Sequence, residues 1–388
     1  MTTSECLACG GALAAPFHVI DAVPVANSMM FASATAATEA GQGRLELRQC
    51  TRCGFAQNAS FDLSLVDYSA GYEDTQAHSA RYLDYANSLI ADLVTRHGLE
   101  GASTLEIGCG KADFLRLVCA ATGGPGIGID PALAPGAIDD EGLDLTLLDR
   151  AYGPDDAALT ADLIVCRHTL EHIPDVARFL TMTRHNLASR PDAVVLLEVP
   201  DTERILREGA FWDLYYEHCS YFDAASLTDL VARVGFDVID TRLVYDGQYL
   251  VLEARVGTGP ARPEVATAPD PTTTDAFIHA VERWTTELGG RFAEAAATGR
   301  RIALWGAGSK AVGLLTMLQP GAVVPYVVDI NPRKTGGHLA GTGHRVAAPE
   351  ELATDPVDEV IVLNPIYLEE IRSQIAGLGV TPSVDAIS

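Results

Sequence analysis

A buried strand that runs directly into a glycine turn, then a helix, then a second strand closed by an acid, leaves a chain few ways to fold. This sequence carries the pattern twice. In the first copy, "TLEIGCGKADFLRLV" (Thr104 to Val118), the apolar run ends at Glu106 and Ile107 and the turn is Gly108-Cys109-Gly110. Phe114, Leu115 and Val118 then fall at helical spacing, and "GIGID" ends at Asp130. In the second copy, "RIALWGAGSKAVGLL" supplies Gly306, Gly308 and Ala311, and "YVVDINPRKTGGHLAG" supplies Asp329. Glycine lets the backbone approach a ligand closely, the helix N-terminus favours negative groups, and the acid accepts from ribose hydroxyls. Each copy therefore predicts a doubly wound α/β unit of the nucleoside-binding kind.

At 388 residues the chain is too long for one ordinary core. Around the first copy lie a helix, "YLDYANSLIADL" (Tyr82 to Leu93), and further strands: "DLTLLD" ending at Asp149, Leu163 to Cys166, and "AVVLLEVP" ending at Pro200. "FDVIDTRLVYDGQYLVLEARV", with Gly247 and Gln248 between two strand-like runs, reads as a closing hairpin. "GTGPARPEVATAPDPTTT" is rich in Pro, Ala and Thr and reads as a linker. The expected division is an amino-terminal domain over 1–66, a central domain over 67–257, a linker over 258–274 and a second Rossmann-like domain over 275–388.

"CRHTLEHIPD" places His168, Glu171 and His172 in H-x-x-E-H order, the spacing of an inverted zinc-peptidase helix. Two histidines share a metal at i, i+4 only when both lie on one helical face. Here the strand "LIVC" ends just before His168, so a turn falls where the helix is needed. A peptidase is therefore not expected.

The formal charge of −25, from 52 acidic against 27 basic residues, repels nucleic acid backbone and anionic membrane alike. No apolar run approaches the ~20 residues that span a bilayer, and the first thirty residues lack a basic start followed by an apolar core. These features set the expectation of a cytoplasmic protein with a small-molecule partner. Eight cysteines in such a chain argue against a disulfide framework. Four of them form two C-x-x-C pairs, Cys6 with Cys9 and Cys50 with Cys53, each followed by a glycine, Gly10 or Gly54. Glycine there permits the tight turn that aims amides at thiolates, so a structural Cys₄ zinc site is expected once a hairpin between the pairs brings them together.

"FWDLYYEHCSYF" (Phe211 to Phe222) concentrates Tyr215, Tyr216, Glu217, His218 and Tyr221 in a short span. Each polar tip needs a partner if buried, so a working site is the better reading than a core segment. "LEIGCGKADFL" resembles the first motif of class I S-adenosylmethionine-dependent methyltransferases, and "GIGIDPA" the second; Ala112 stands where the third glycine is usual. In that class the fourth strand is commonly followed by an H-x-L-E-H turn, as at His168 to His172. Taken with the two C-x-x-C pairs, the Y-x-E-H-x-S-Y-F segment and the carboxy-terminal glycine turn, most of the chain resembles the sugar C-methyltransferase family of deoxysugar and antibiotic biosynthesis, which modifies nucleotide-linked keto-deoxysugars. That family commonly has a histidine where this chain has Tyr216.

The resemblance implies a donor site at Glu106, Gly108, Gly110, Asp130, Pro131, Asp149, Arg167 and His168, filled by S-adenosylmethionine. It also implies an enolate mechanism on a 4-keto sugar: His218 as base, Glu217 as its orienter or a sugar ligand, His172 and Tyr215 as enolate stabilisers, and Tyr72 at the sugar. Lys310, directly after the second turn, is placed to meet a phosphate of the acceptor. Three alternatives stay open: an NAD-dependent oxidoreductase or epimerase working at Gly306 and Gly308, methyl transfer to a non-sugar acceptor, and a non-catalytic scaffold that binds S-adenosylmethionine.

Overall fold

The apolar runs of the central region assemble into one seven-stranded sheet in the computed structural model, which describes residues 3–67, 72, 73, 75–133, 142–257 and 271–387. Its order is Phe236–Val244, Tyr249–Val256, Val194–Pro200, Leu163–Arg167, Thr104–Ile107, Gly126–Ile129, Leu145–Leu148. Tyr249–Val256 runs antiparallel to both of its neighbours, while the five strands beyond it are mutually parallel. This is the class I methyltransferase arrangement. Strand order reverses between Thr104–Ile107 and Leu163–Arg167, and a ligand cleft opens at the carboxyl ends of strands where that happens.

The expected hairpin is present, with Val244 paired to Tyr249. Its turn puts Tyr245 and Asp246 at φ +53°, a left-handed conformation that costs non-glycine residues energy. Burial offsets the cost: Tyr245 is almost fully enclosed and its ring stacks on Tyr249 at 5.0 Å.

The amino-terminal strands His18–Pro24, Gln42–Gln49 and Ala56–Asn58 form an antiparallel sheet completed by Ser220–Tyr221 from the central region. A carboxy-terminal sheet has the order Ser383–Ala386, Glu359–Val362, Ile302–Trp305, Tyr326–Val328, Arg345–Ala347, His338–Leu339, and then Met30–Phe31 from the amino-terminal region. The three regions thus exchange strands, and one core joins Val23 and Leu45 to Phe211, Phe277, Leu304 and Val327. A two-residue strand such as Met30–Phe31 carries no periodic signal, because its pairing is supplied entirely by a distant edge.

The carboxy-terminal helix spans Pro271–Thr298, so it begins inside the stretch read as linker; residues 258–270 of that stretch lie outside the described residues. The composition of "PTTT" suggested a loop, but proline suits a first helical turn, where its missing N–H would have no partner. Phe277 from this helix is fully buried, a contribution of about 1.5–3 kcal/mol. No helix among the described residues is long and apolar enough to cross a membrane.

Candidate active site

The first glycine turn shapes one end of a cavity of about 560 Å³, lined there by Glu106, Gly108, Gly110, Asp130 and Pro131. Gly108 has φ +73°, and a Cβ on it would sit 2.0 Å from Thr169 Oγ1. Gly108→Ala is accordingly expected to cost at least tenfold in donor affinity, read by calorimetry, because both strain and clash push the turn into the cavity. Ala112 lies at φ +61°, fully buried, at the start of the helix Asp113–Thr122. The small side chain fits the space, while the backbone keeps the shape that the usual glycine adopts freely.

Asp130 accepts from the Gly110 N–H at 2.9 Å through Oδ2 and from the Ala132 N–H at 2.7 Å through Oδ1. The acid is therefore held beside the turn, at the cavity wall. Burial pushes the Glu106 carboxyl up to about 8, so it is largely neutral near pH 7, and its Oε2 has no hydrogen-bond partner. A cationic ligand nearby would favour its anion. Asp149 stands apart: it is exposed and does not line the cavity. It sits one residue beyond the end of the edge strand Leu145–Leu148, where the sheet ceases to direct it inward.

Arg167 and His168 form the cavity floor. Arg167 makes a bidentate pair with Glu198 (2.8 and 2.9 Å), and its guanidinium lies 3.9 Å from the Phe114 ring centroid. His168, at φ +47°, donates to Glu198 at 2.9 Å and lies 3.7 Å from Glu171. Burial opposes charge on His168, but the two carboxylates outweigh it and raise its pKa to about 9. Arg167 and His168 are thus already paired, and an incoming cofactor meets them as a fixed surface. The short turn after His168 confirms that no peptidase helix exists here: Leu170–His172 is a single 3₁₀ turn.

The other end of the cavity brings together Tyr72, His172, Tyr215 and His218. The His172 and His218 rings meet edge to face at 4.8 Å, and Tyr215 lies 4.8 Å from His218. The Cys219 N–H donates to the Glu171 carbonyl at 3.0 Å, which locks the 3₁₀ turn to the Tyr215–His218 segment. Burial, with His172 adding to it, lowers His218 to about 3; burial also lowers His172. Both imidazoles are neutral near pH 7. The Tyr215 hydroxyl donates to Asp213 at 2.9 Å. Burial opposes ionisation of Asp213, but Lys310 and Arg204 hold it well below the usual carboxylate range.

Two residues of the cluster point elsewhere. The Glu217 carboxylate accepts from the main-chain N–H and Nδ2 of Asn27 at 3.2 and 2.7 Å, and the residue does not line the cavity. The segment turns at Tyr216 and Glu217, which carries the Glu217 side chain away from the cavity that His218 lines. Tyr216 is 1% exposed and packs where a Cβ on Gly43 would come within 2.2 Å of its ring; its hydroxyl accepts from the Asp62 N–H at 2.9 Å. The residue that departs from the family pattern therefore supports the amino-terminal sheet and does not touch the cavity.

Glu171, Asp213 and Glu198 escaped the sequence reading as members of this site. Glu198 carried a usable signal, a charge inside the apolar run "VVLLEV", since a buried charge demands a partner. Lys310 lines the cavity as expected of a site residue, but its ammonium is paired with Asp213 and is not free for a phosphate.

A second cavity of about 280 Å³ continues from the first, sharing Ser28, Gln76, Tyr215, Tyr249, Ser309 and Lys310 and reaching Gly306, Gly308 and Asp329. Asp329 accepts from the Ala307 N–H at 2.8 Å, the same acid-to-turn bond as in the first copy. Beside the core that holds Phe55 against Phe222, the four cysteines converge. Cys6 and Cys53 Sγ atoms lie 3.7 Å apart, Cys9 and Cys50 3.5 Å, and all four within 4.8 Å. Tetrahedral zinc with bonds of about 2.3 Å sets its thiolates about 3.8 Å apart, so the cluster fits. The Gly11 and Arg52 N–H groups face Cys9 and Cys50 at 3.4 Å, the knuckle arrangement foreseen from the glycines that follow each pair.

Residues 76–241 match a methyltransferase-domain family, and residues 258–380 match the C-methyltransferase C-terminal domain family. The chain is 26% identical over 320 residues to the C-methyltransferase NovU of Streptomyces niveus, covering 77% of this chain and 75% of that one. Among solved structures, an N,N-8-amino-8-demethyl-D-riboflavin dimethyltransferase of Streptomyces davawensis aligns at 23% identity over 46% of this chain and 56% of its own, with a TM-score of 0.36. A 1,6-didemethyltoxoflavin-N1-methyltransferase of Burkholderia thailandensis aligns at 18% identity over 46% and 81%, also at 0.36. The chain thus carries a class I methyltransferase fold in its central region and a carboxy-terminal region similar to the C-methyltransferase C-terminal domain family.

Proposed function

We propose that the protein is an S-adenosylmethionine-dependent C-methyltransferase that acts through an enolate on a nucleotide-linked keto-deoxysugar in secondary metabolism. One observation carries this reading: a single cavity joins the Gly108-Gly110-Asp130 end to the Tyr72, His172, Tyr215 and His218 end. Its continuation towards Gly306 and Gly308 gives room for the nucleotide part of an acceptor. S-adenosylmethionine supplies an electrophilic methyl group; Glu106, Gly108, Gly110, Asp130 and Pro131 would hold it. The similarity to NovU and the two domain matches favour methyl transfer over hydride transfer at the second glycine turn.

His218 is the base. Its neutral ring takes the proton from the carbon beside the acceptor carbonyl, and the imidazolium that results stands next to the enolate it creates. The Tyr215 hydroxyl donates its hydrogen bond to Asp213, and His172 donates one ring N–H to the Glu217 main-chain carbonyl. Tyr215 therefore turns a lone pair toward the cavity, and the other ring nitrogen of neutral His172 carries a second. Such acceptors suit hydroxyl groups on a sugar, while Lys310 stays paired with Asp213 and keeps that carboxylate ionised. The site residues thus bind, orient and move one proton, while the metal at the four cysteines is structural.

Calorimetric titration of the zinc-loaded protein tests the donor. Tight binding of S-adenosylmethionine and S-adenosylhomocysteine, weakened at least tenfold in Asp130→Ala, is expected. Binding of NAD alone, lost on substituting Gly308, would replace this reading with the oxidoreductase.

A further inference from the structure

We propose that Glu171, His172 and His218 form a second metal site, for a divalent cation of the zinc, cobalt or nickel type, at the acceptor end of the cavity. The proposal deepens the functional reading, since it uses the same side chains. Their ligand atoms lie within 4.8 Å of one another. Tetrahedral coordination at about 2.1 Å needs them about 3.4 Å apart, a closure that side-chain torsions provide.

Three independent features point to a cation. Glu171 is 1% exposed and meets His168 through Oε1 at 3.7 Å, yet its Oε2 has no hydrogen-bond partner, and a buried carboxylate oxygen left unpaired is costly and open to a cation. His172 gives one ring N–H to the Glu217 carbonyl, and this outer bond commonly fixes a histidine so that its other nitrogen ligates. The main-chain bond from Cys219 to Glu171 holds the two ligand-bearing segments together without any metal, so little ordering remains to be done on binding. Two imidazoles and one carboxylate suit borderline cations and not magnesium or calcium, which take oxygen ligands. Three protein ligands leave a fourth position open to the cavity, as catalytic zinc sites do.

A cation there occupies the lone pair that His218 uses as base. Metal binding and proton abstraction are then mutually exclusive, and the site works as an inhibitory one distinct from the Cys₄ cluster. The test uses the full chain with its cysteine site already filled with zinc, titrated with Co²⁺ alone and followed by visible absorption and by metal content after gel filtration. One further equivalent is expected for the wild type, with affinity at least ~30-fold weaker in Glu171→Gln, His172→Gln and His218→Gln. Binding of S-adenosylhomocysteine shows which variants remain folded, and any one that does is sufficient for the comparison. Absence of a further equivalent in the wild type, or equal binding by a folded variant, overturns the proposal. The readout needs no acceptor. A second equivalent in a protein that transfers no methyl group would leave the metal site standing and remove the enzymatic reading.

Discussion

His218→Asn is expected to slow solvent exchange of the acidic proton on a keto-sugar acceptor by about 10²–10⁴-fold, the usual worth of a positioned general base. Binding of S-adenosylmethionine should be unchanged, because the glycine turn and Asp130 occupy the opposite end of the cavity. Asparagine retains a polar tip of similar reach, so the Cys219-to-Glu171 main-chain bond and the Tyr215 contact to Asp213 should survive. The pH dependence follows from the same geometry. Burial lowers His218 to about 3 in the empty cavity, so its base form is present throughout the neutral range. Exchange should therefore persist as pH falls from 7 towards 5, where a free imidazole with its ordinary pKa near 6.5 would already be mostly protonated. An anionic acceptor raises the value and moves this acid limb upward. Exchange at the wild-type rate in His218→Asn, measured by deuterium incorporation, would sink the assignment of the base.

Cys50→Ser is expected to empty the four-cysteine site and unfold the amino-terminal sheet. Cys50 is fully buried directly after Gln42–Gln49, and the cluster ties the turn at Cys6 and Cys9 to that strand, whose Leu45 and Leu47 belong to the core shared with the carboxy-terminal region. Structural zinc in small domains contributes on the order of 10 kcal/mol of apparent binding energy that is also folding energy. The consequences reach the acceptor end. Asn27 holds Glu217, Gly43 backs Tyr216, and Met30–Phe31 closes the edge of the carboxy-terminal sheet. Zinc content should fall to zero, proteolysis should open the first 60 or so residues, and methyl transfer should be lost. A zinc-free variant that resists protease as the parent does would show that the cluster contributes nothing to the fold.

Local pattern revealed most of the class I core. The strand at Thr104–Ile107, its glycine turn and Asp130 were legible because their spacing follows from elements short enough to be set by neighbouring residues. Each cysteine knuckle was legible for the same reason, since it is a local turn, while the strand pairing between them brings Cys6 to Cys53 and Cys9 to Cys50. Orientation within "YYEHC" was not. The four residues straddle a turn at Tyr216 and Glu217, and nothing in their order says which of them face the cavity. The structure directs Tyr215 and His218 inward and sends Tyr216 and Glu217 to the amino-terminal sheet.

Glu171 shows the limit from the other direction. Its sequence spacing suggested a peptidase, and the strand ending just before His168 excluded that, but only the packing of residues 170–172 against 218–219 places its unpaired oxygen beside two histidines. Asp213 is likewise unremarkable in sequence, and it becomes the partner of Tyr215, Arg204 and Lys310 because a helix start from the carboxy-terminal domain lands on it. The sequence by itself determined the two glycine-turn units, the two cysteine knuckles and the hairpin, all set by contacts within a few tens of residues. Tertiary structure alone decided the exchanged strands, the pairing of Lys310 and the inward-facing half of the acceptor cluster, because each depends on which distant surface a short segment meets.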